Sequence, residues 1–380
     1  MVSRYMSAPH CDRRFLAPLQ TYFALRSRLP RAAAKRGRDA TCRGPAKGAL
    51  DAAVFVPVPA GNFRKADKRD YVKYEMPGGG MVTESGLRPI IIAGPTASGK
   101  SALAMSLAEE RASCIVNADA LQVYDCWQVL TARPTREDCR RVPHALYGHV
   151  DGSRRYSVGS WLRDVEAILA NLRARSIRPI IVGGTGLYLT ALTEGLADIP
   201  PVPPEIRAAS EAVLQRHGAT RLAEELARDD PATFARIDAR NPARVQRAWE
   251  VLAATGRGLA DWQRAPAEPV LKDWSGFVVD IDKAILNNNI QSRFKTMIED
   301  GAVEECRQYR SAFSGERPPS ARALGAAQIL DYLDGRCDLA QATEAAVIAT
   351  RRYAKRQRTW FRNRMADWPR VDRGAAQIAP

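Results

Sequence analysis

The sequence predicts an α/β fold with a parallel-sheet core, a helical middle segment and a helical C-terminal region. Its 380 residues suggest about two domains, and a 46% hydrophobic content is enough to bury a full core. Short β-branched apolar runs predict strands, whereas apolar side chains at helical spacing predict helices. The strands are expected at residues 88–93, 113–116, 178–182 and 276–279, and the helices at 205–256, 283–309 and 340–364.

Composition excludes several classes of protein. Apolar runs are of strand length, far short of the roughly 20 residues that cross a membrane. The seven cysteines are odd in number and form no C-x-x-C pair. We therefore expect reduced thiols in a cytoplasmic protein, rather than a disulfide framework or a zinc ribbon. With four histidines in the whole chain, a histidine-based metal site is not expected. The cysteines are Cys11, Cys42, Cys114, Cys126, Cys139, Cys306 and Cys337.

Most of the net charge of +15 lies at the N-terminus, because residues 1–80 carry 16 basic and 6 acidic side chains. Residues 1–85 show no helical or strand period and end in a glycine-rich linker. We expect a disordered basic extension preceding a chain that could start at Met81, with an organelle transit peptide or a nucleic-acid-binding tail as alternatives. The overall basicity is therefore not evidence that the core binds nucleic acid.

A complete phosphate-binding motif follows the first strand. G-x-x-x-x-G-K-[ST] lies between a strand and a helix, the context that a P-loop requires. The glycines let backbone N–H groups surround a phosphate, the lysine neutralises it and the hydroxyl can bind Mg²⁺. This predicts a diphosphate or triphosphate ligand. The motif consists of Gly94, Pro95, Thr96, Ala97, Ser98, Gly99, Lys100 and Ser101.

The next strands end in residues with two open interpretations. Asp119 follows the second strand, at the edge where parallel sheets bind ligands. It is either a catalytic carboxylate or a helix N-cap. The strand at 178–182 ends in Gly183-Gly184, which a close approach of the backbone to a ligand or a tight turn would explain. This strand does not end in the Mg²⁺-binding acidic residue that is usual in ATP-hydrolysing P-loop proteins. Asp280, at the end of the strand at 276–279, is the alternative candidate for that Mg²⁺-binding acid.

Two helical segments carry basic faces. Asn241 and Pro242 open a helix on which Arg244 and Arg247 share one face, either solvated or in contact with phosphates. The last helix has seven basic residues among residues 350–364. Its basic face is expected to bind a polyanion, and its aromatic pair to anchor the core. That face comprises Arg352, Lys355, Arg356 and Arg362; the aromatic pair is Tyr353 and Trp360.

The motifs GPTASGKS, NADALQVY, GGTGLY, NPARVQRAWEV and TRRYAKRQRTWFR occur in this order over residues 88 to about 366. In this the chain resembles the tRNA dimethylallyltransferases. The resemblance implies transfer of a prenyl group from dimethylallyl diphosphate to N6 of adenosine 37, beside the tRNA anticodon. It also implies a P-loop NTPase-like core at 86–200 and 267–380, an insertion at 201–266 that grips the anticodon stem-loop, and a monomeric enzyme.

The resemblance also implies roles for individual residues. The donor diphosphate, rather than ATP, would lie on residues 94–101, with Mg²⁺ at Ser101. Asp119 would be the general base for the N6 proton, and Thr185 would face the transferring group. Contacts to tRNA are implied for Asp119, Ala120, Leu121, Gln122, Thr185, Arg207, Ala243, Arg244, Val245, Gln246, Arg247 and Arg322.

The chain departs from the family pattern at two places. Asn289 stands where the family usually has an arginine before its Arg-Phe pair, and residues 125–134 diverge. There is no Cys/His zinc-finger tail, which favours a bacterial-type enzyme. The alternatives are a P-loop small-molecule kinase, a prenyltransferase acting on free AMP or ADP, and a non-enzymatic RNA-binding protein. Of these three, the non-enzymatic RNA-binding protein is the one that would leave Lys100 and Asp119 unexplained.

Overall fold

A six-stranded sheet forms the centre of the molecule. The computed structural model describes residues 88–265, 267–313 and 318–372, so the predicted N-terminal extension lies outside the described residues. The strands are β1 (Ile90–Ala93), β2 (Ser113–Asn117), β3 (His144–Ala145), β4 (Arg178–Gly183), β5 (Ser275–Asp280) and β6 (Arg370–Asp372). Their order is β3-β2-β4-β1-β5-β6, and every pairing is parallel. The predicted α/β class is confirmed.

Helices connect and cover these strands. The first four are α1 (Lys100–Glu109), α2 (Arg136–Arg141), α3 (Val158–Ala174) and α4 (Gly186–Glu194). The next four are α5 (Pro204–Asp229), α6 (Pro231–Phe234), α7 (Pro242–Thr255) and α8 (Leu259–Trp262). The last four are α9 (Lys283–Glu299), α10 (Ala302–Ala312), α11 (Ala326–Leu333) and α12 (Leu339–Arg364), with a 3₁₀ turn at Pro319–Arg322. Within the described residues, no helix is long and apolar enough to cross a membrane.

Apolar side chains cover both faces of the sheet. α3 begins at the N-cap Ser157 and packs one apolar stripe, including Trp161 and Leu172, on one face. α1 covers the other face, where Leu103 meets the strand residues Ile92 and Ile180. Burial on both faces explains why these strands are continuous apolar runs rather than alternating ones.

Residues 202–254 contain a small core of their own. Val202 and Ile206 from the start of α5 pack with Leu222, Val245 and Trp249. α5 is interrupted at its glycine, residue 218, whose φ of 68° lies in the left-handed region. This core gives the predicted insertion an internal source of stability, while its boundaries at 201 and 266 remain a prediction.

The C-terminal helices form a further core. α9, α11 and α12 pack around Phe294, Ile329 and Val347. The single helix predicted over 283–309 is wrong, because the chain breaks at Asp300 and Gly301, where Gly301 has a φ of 101°. A left-handed residue cannot continue an α-helix, so two shorter helices result.

Candidate active site at the carboxyl edge of the sheet

The ends of three adjacent strands bring the predicted catalytic segments together. Ala93 at the end of β1 lies beside Gly183 at the end of β4, and β2 pairs with β4 as far as Asn117. The phosphate-binding loop, Asp119 and Thr185 each follow one of these strands. Parallel strands present their carboxyl ends at one edge, so all three segments meet there.

The phosphate-binding loop has the conformation of an anion cradle. Ala97 (φ 61°) and Gly99 (φ 79°) are left-handed, which turns successive N–H groups toward one concavity. Ser98 is fully buried, and its Oγ has no hydrogen-bond partner among the described residues. A Cβ at Gly94 would lie 2.9 Å from that oxygen, so the loop needs glycine there. An unsatisfied hydroxyl inside a ring of N–H groups suits a phosphate ligand.

Lys100 supplies positive charge to this cradle. Its Nζ donates to the Pro95 carbonyl at 3.2 Å, which holds the ammonium over the loop. Burial lowers the pKa of Lys100 to about 8, the Asp119 carboxylate opposes that shift, and the Arg293 guanidinium adds to it. The three charged groups therefore share one electrostatic environment.

Asp119 is held by a clamp around its own backbone. The buried Asn117 side chain accepts from the Asp119 N–H at 2.8 Å and donates to the carbonyls of Asp119 and Leu146 at 3.0 and 2.9 Å. The Asp119 Oδ1 accepts from the Leu121 N–H at 2.9 Å. No helix begins here, so the helix-cap alternative is wrong and Oδ1 caps a turn instead. Within the described residues, Oδ2 makes no hydrogen bond and is available to a substrate.

Thr185 connects this turn to the last helix. Its Oγ1 accepts from the Ala120 N–H at 2.9 Å, and its side chain lies close to the Tyr353 phenol of α12. Burial raises the pKa of the Tyr353 phenol, and the nearby Asp119 charge raises it further. Trp360 is partly buried and packs against the sheet core, as expected for a core anchor. Tyr353 is half-buried at the edge of the site instead. For Tyr353 the expectation was wrong because its side of α12 faces the strand ends rather than the core.

Gln357 joins the phosphate-binding loop to β4. It is 5% exposed; its Oε1 accepts from the Thr96 N–H and its Nε2 donates to the Gly184 carbonyl, both at 2.9 Å. A Cβ at Gly184 would lie 2.1 Å from that Nε2, and a Cβ at Gly183 would lie 2.0 Å from the Ala118 oxygen. The chain's own atoms thus leave little room for a side chain at either glycine, so neither an approaching ligand nor a tight turn is needed to explain them.

A basic groove of about 600 Å³ lies between α7 and α12. We call it the basic groove; it is lined by Arg244, Arg352, Lys355, Arg356, Thr359, Trp360, Asn363 and Arg364. Arg356 lies over the Tyr353 ring and Arg364 over the Trp360 ring, with centroid distances of 5.6 and 5.9 Å. Arg364 takes the place in the groove that was expected for Arg362. The concentration of cations makes the groove suitable for a polyanion.

The structure separates the other residues expected to bind tRNA on the insertion. Val245 is fully buried in the insertion core, so its side chain cannot contact a ligand. Gln246 donates to Ser210 and Glu250 at 2.9 and 3.0 Å. Ala243 and Arg247 are exposed on α7, and Arg207 is half-buried on α5. Burial lowers the pKa of Arg247, the nearby Glu250 carboxylate opposes that shift, and the Arg207 charge adds to it, so the two arginines lie near each other.

The remaining predicted residues lie beside the Asp119 turn. Ala120 and Leu121 are half-buried. The Gln122 amide donates to the carbonyls of Thr131 and Ala132 at 2.9 and 3.1 Å. It thereby holds the divergent loop, residues 125–134, which departs from the family pattern. Arg322 is exposed at the end of the 3₁₀ turn. Burial raises the pKa of Tyr124, and the positive charge of Arg322 opposes this shift.

The two departures from the family pattern have structural consequences. Asn289 of α9 donates from Nδ2 to the Ala97 carbonyl at 3.2 Å, so it touches the phosphate-binding loop without adding charge. The divergent loop is held by the Glu305 carboxylate, which accepts from the N–H groups of residues 128, 129 and 130. Sequence reasoning missed Asn117, Gln357 and Arg293. Asn117 lies within the motif NADALQVY, Gln357 lies within TRRYAKRQRTWFR, and Arg293 is the arginine of the Arg-Phe pair, so these motifs were the available signal.

Comparisons with known proteins agree with this geometry. A profile described as IPP transferase matches residues 122–364, and one described as isopentenyl transferase matches residues 88–145. A tRNA dimethylallyltransferase of Cereibacter sphaeroides (strain KD131 / KCTC 12085) is 54% identical over 75% of this chain and 88% of the relative. One of Roseobacter denitrificans is 55% identical over 74% of this chain and 97% of the relative.

Solved structures lead to the same family. A tRNA isopentenylpyrophosphate transferase from Bacillus halodurans has a TM-score of 0.54 and 29% identity, over 75% of this chain and 89% of that one. A eukaryotic dimethylallyltransferase crystallised acting on tRNA has a TM-score of 0.65 and 23% identity, over 75% and 74%, and supports the fold alone. The extent of the profile match and the identity to whole bacterial relatives together show that the chain belongs to the tRNA dimethylallyltransferase family and is of the bacterial type.

Proposed function

We propose that the protein transfers the dimethylallyl group of dimethylallyl diphosphate to N6 of adenosine 37 in tRNA and releases diphosphate. The observation that carries this proposal is the placement of Lys100 and Asp119 at one edge of the sheet, close enough for their charges to interact. A phosphate-binding cation after β1 and a carboxylate with one uncommitted oxygen after β2 lie at the same edge of the sheet, on either side of the end of β4. One site can therefore hold a diphosphate donor and accept a proton from an amine.

The donor would bind on the loop formed by residues 94–101. The left-handed turns at Ala97 and Gly99, the orphaned Ser98 hydroxyl and the Lys100 ammonium all suit a diphosphate. Mg²⁺ fits at the exposed Ser101, because a hydroxyl beside two phosphates is an oxygen environment that this ion favours. Within the described residues no cluster of three acidic, histidine or cysteine side chains could hold it, so the diphosphate would provide other ligands. When bound, Mg²⁺ neutralises charge on the leaving diphosphate.

Transfer requires a base because the N6 amino group is a weak nucleophile, its lone pair being delocalised into the purine ring. We assign this role to Asp119. As the bond from N6 to the prenyl C1 forms and the bond from C1 to the diphosphate oxygen breaks, the Asp119 Oδ2 takes the N6 proton. Oδ1 stays bonded to the Leu121 N–H and keeps the carboxylate oriented. Thr185, fixed between Ala120 and Tyr353, would face the transferring group.

The tRNA would bind across the basic groove. Its cations would neutralise phosphates of the anticodon stem-loop, which fixes the position of the RNA without reading its sequence. Adenosine 37 must leave the stacked loop to reach Asp119. Residues 119–122 would then line its pocket, and Arg207, Arg247 and Arg322 would provide outlying phosphate contacts. Arg207 and Arg247 lie on helices of the insertion, and Arg322 lies at the end of the 3₁₀ turn.

We also propose that the enzyme acts as a monomer in the cytoplasm. The described cysteines, residues 114, 126, 139, 306 and 337, are all free thiols, in keeping with a reducing compartment. Sedimentation of the full chain at micromolar concentration tests the monomer. A dimer would shift the mass twofold.

A transfer assay tests the function and separates it from its alternatives. The full chain is incubated with Mg²⁺, prenyl-labelled dimethylallyl diphosphate and either unmodified tRNA, AMP or ADP. We expect label in tRNA and none in the free nucleotides. A parallel incubation with γ-labelled ATP tests for a kinase, which would transfer the labelled phosphate to a small molecule. Label on AMP or ADP, or phosphate transfer from ATP, would contradict the proposal.

A further inference from the structure

Glu250 of α7 is a buried carboxylate that takes no part in the proposed reaction. It is 6% exposed. Its Oε1 accepts from the Ser210 Oγ of α5 at 2.7 Å and from the Gln246 Nε2 at 3.0 Å, and that Nε2 also donates to the Ser210 Oγ at 2.9 Å. The three side chains form a closed hydrogen-bonded triangle between the two helices. A buried carboxylate is unfavourable unless its charge is balanced by cations.

Two arginines lie next to this triangle. Arg247 precedes Glu250 by one turn of α7, and Arg207 precedes Ser210 by one turn of α5, so each shares a helix face with one end of the 2.7 Å bond. The Ser210 Oγ also lies 2.8 Å from the Arg207 carbonyl oxygen. Within the described residues, neither guanidinium makes a hydrogen bond or an ion pair. Both can therefore bind an anion without giving up a partner.

The charges of these groups affect one another. Burial lowers the pKa of Arg247, the Glu250 carboxylate opposes that shift, and the Arg207 charge adds to it. The carboxylate thus offsets the mutual repulsion of two neighbouring guanidinium groups. One negative charge against two positive charges leaves a surplus of one, on the side where Arg247 is exposed and Arg207 is half-buried. A single phosphate would balance that surplus.

The hydrogen bonds alone do not require a charge at residue 250. A hydroxyl and an amide N–H would donate equally to the oxygen of a glutamine side chain. If Glu250 only linked α5 to α7, a neutral side chain of the same shape would therefore serve. The negative charge is needed to hold two cations side by side.

We propose that Glu250 positions Arg207 and Arg247 as a pair that binds one phosphate of the tRNA backbone. This proposal rests on the proposed function and deepens it, because it assigns a single phosphate to two arginines on different helices. Guanidinium groups donate parallel hydrogen bonds to phosphate oxygens, so two of them, fixed relative to each other, define where that phosphate lies. Such a contact positions the RNA on the insertion without reading its sequence.

Binding of fluorescently labelled, unmodified tRNA to the full chain, over a series of KCl concentrations, tests this role. Glu250→Gln keeps the hydrogen-bond acceptor and removes the charge. We expect about tenfold weaker binding, as for the loss of one charged hydrogen bond, and a higher tRNA KM with kcat and donor KM unchanged. In a chain that carries Arg207→Ala and Arg247→Ala, Glu250→Gln should have no further effect, because it acts through these arginines.

Glu224→Gln is the matched control, since it removes the same charge from a side chain of α5 that is 64% exposed. Loss of a carboxylate by itself favours a polyanion, so the control should not weaken tRNA binding. Unchanged or tighter binding in a folded Glu250→Gln protein would overturn the proposal. So would equal losses in the two glutamate variants, or a Glu250→Gln loss that persists without the arginines.

The outcomes separate this proposal from the proposed function. If the wild type prenylates tRNA and Glu250→Gln binds it as tightly, the pairing fails and the function stands. If Glu250→Gln weakens tRNA binding through the arginines but the wild type transfers no prenyl group, the RNA site stands and the function fails. Thermal melting monitors folding. If Glu250→Gln does not fold, Arg207→Ala combined with Arg247→Ala should lower the salt slope by about one unit, and a fall of about two units would indicate separate phosphates and refute the pairing.

Discussion

Asp119→Asn is the substitution that most sharply separates chemistry from architecture in this site. The Leu121 N–H that now donates to Oδ1 at 2.9 Å can donate equally to the asparagine amide oxygen. The clamp from Asn117 acts on the backbone of residue 119 and is independent of its side chain. The fold and the turn should therefore survive, and only the basic oxygen disappears.

The expected loss is large and specific to turnover. Removing a general base costs about 10² to 10⁴ in rate, which is about 3 to 5 kcal/mol of transition-state stabilisation. The substitution also removes a negative charge from the environment of Lys100 and Arg293. Because the carboxylate would no longer compete with the donor diphosphate for these two cations, the donor KM should be unchanged or lower. The predicted signature is thus a fall in kcat with no rise in donor KM.

Steady-state prenylation of tRNA, with each substrate varied in turn, measures this signature. Asp280→Asn is the matched control: Asp280 is the last residue of β5, and its Oδ1 accepts from the Ile281 N–H at 3.0 Å. It should stay within a few-fold of the wild type. An Asp119→Asn protein within a few-fold of wild-type kcat would refute the base assignment, as would equal losses in both variants.

Three further predictions concern the scaffold, the RNA and pH. Gln357→Leu leaves a loop N–H and a strand-end carbonyl unpaired. Each unpaired group costs about 1 to 3 kcal/mol, so the free energy of unfolding measured in urea should fall by about 2 to 6 kcal/mol. Arg244→Ala combined with Arg356→Ala should reduce the salt dependence of tRNA binding by about two units of slope, with donor KM unchanged. Burial lowers the pKa of His144 and His149. Their contribution to stability is present above the unfolded pKa of about 6.5 and is lost as pH falls below it.

Each of these predictions has a control and a contradicting result. Gln308→Leu alters an exposed glutamine and should keep wild-type stability; equal losses at residues 308 and 357 would contradict the bridging role. Arg228→Ala lies outside the basic groove and should keep the salt slope. Unfolding free energies that stay constant from pH 7 to pH 5 would contradict the histidine assignment.

Local sequence patterns predicted the sheet and the phosphate-binding loop, because the strands and the loop are each formed by residues that are neighbours in sequence. The apolar runs marked the four longer strands, and Asp119 fell at the expected edge. Gln357 could not be assigned, since its partner Thr96 lies 261 residues away. Hydrogen bonds of that kind depend on how α12 packs across the strand ends, which periodicity does not encode.

Other errors have equally specific causes. The short β3 and β6 have too few residues to give a period, and neither was predicted. The break at Gly301 was missed because the residues around it favour helix on both sides. Val245 was assigned to tRNA as part of a contiguous motif, whereas helical geometry turns that one side chain into the insertion core. The predicted domain boundaries and the residue roles stay predictions.

The most direct test of the proposed reaction identifies the modified nucleotide. Unmodified tRNA is incubated with the full chain, Mg²⁺ and dimethylallyl diphosphate, then cut by a base-specific ribonuclease and sequenced by mass spectrometry. We expect one dimethylallyl group, on adenosine 37, and none on the same tRNA carrying guanosine at that position. Unchanged tRNA, or a prenyl group on any other nucleotide, would contradict it.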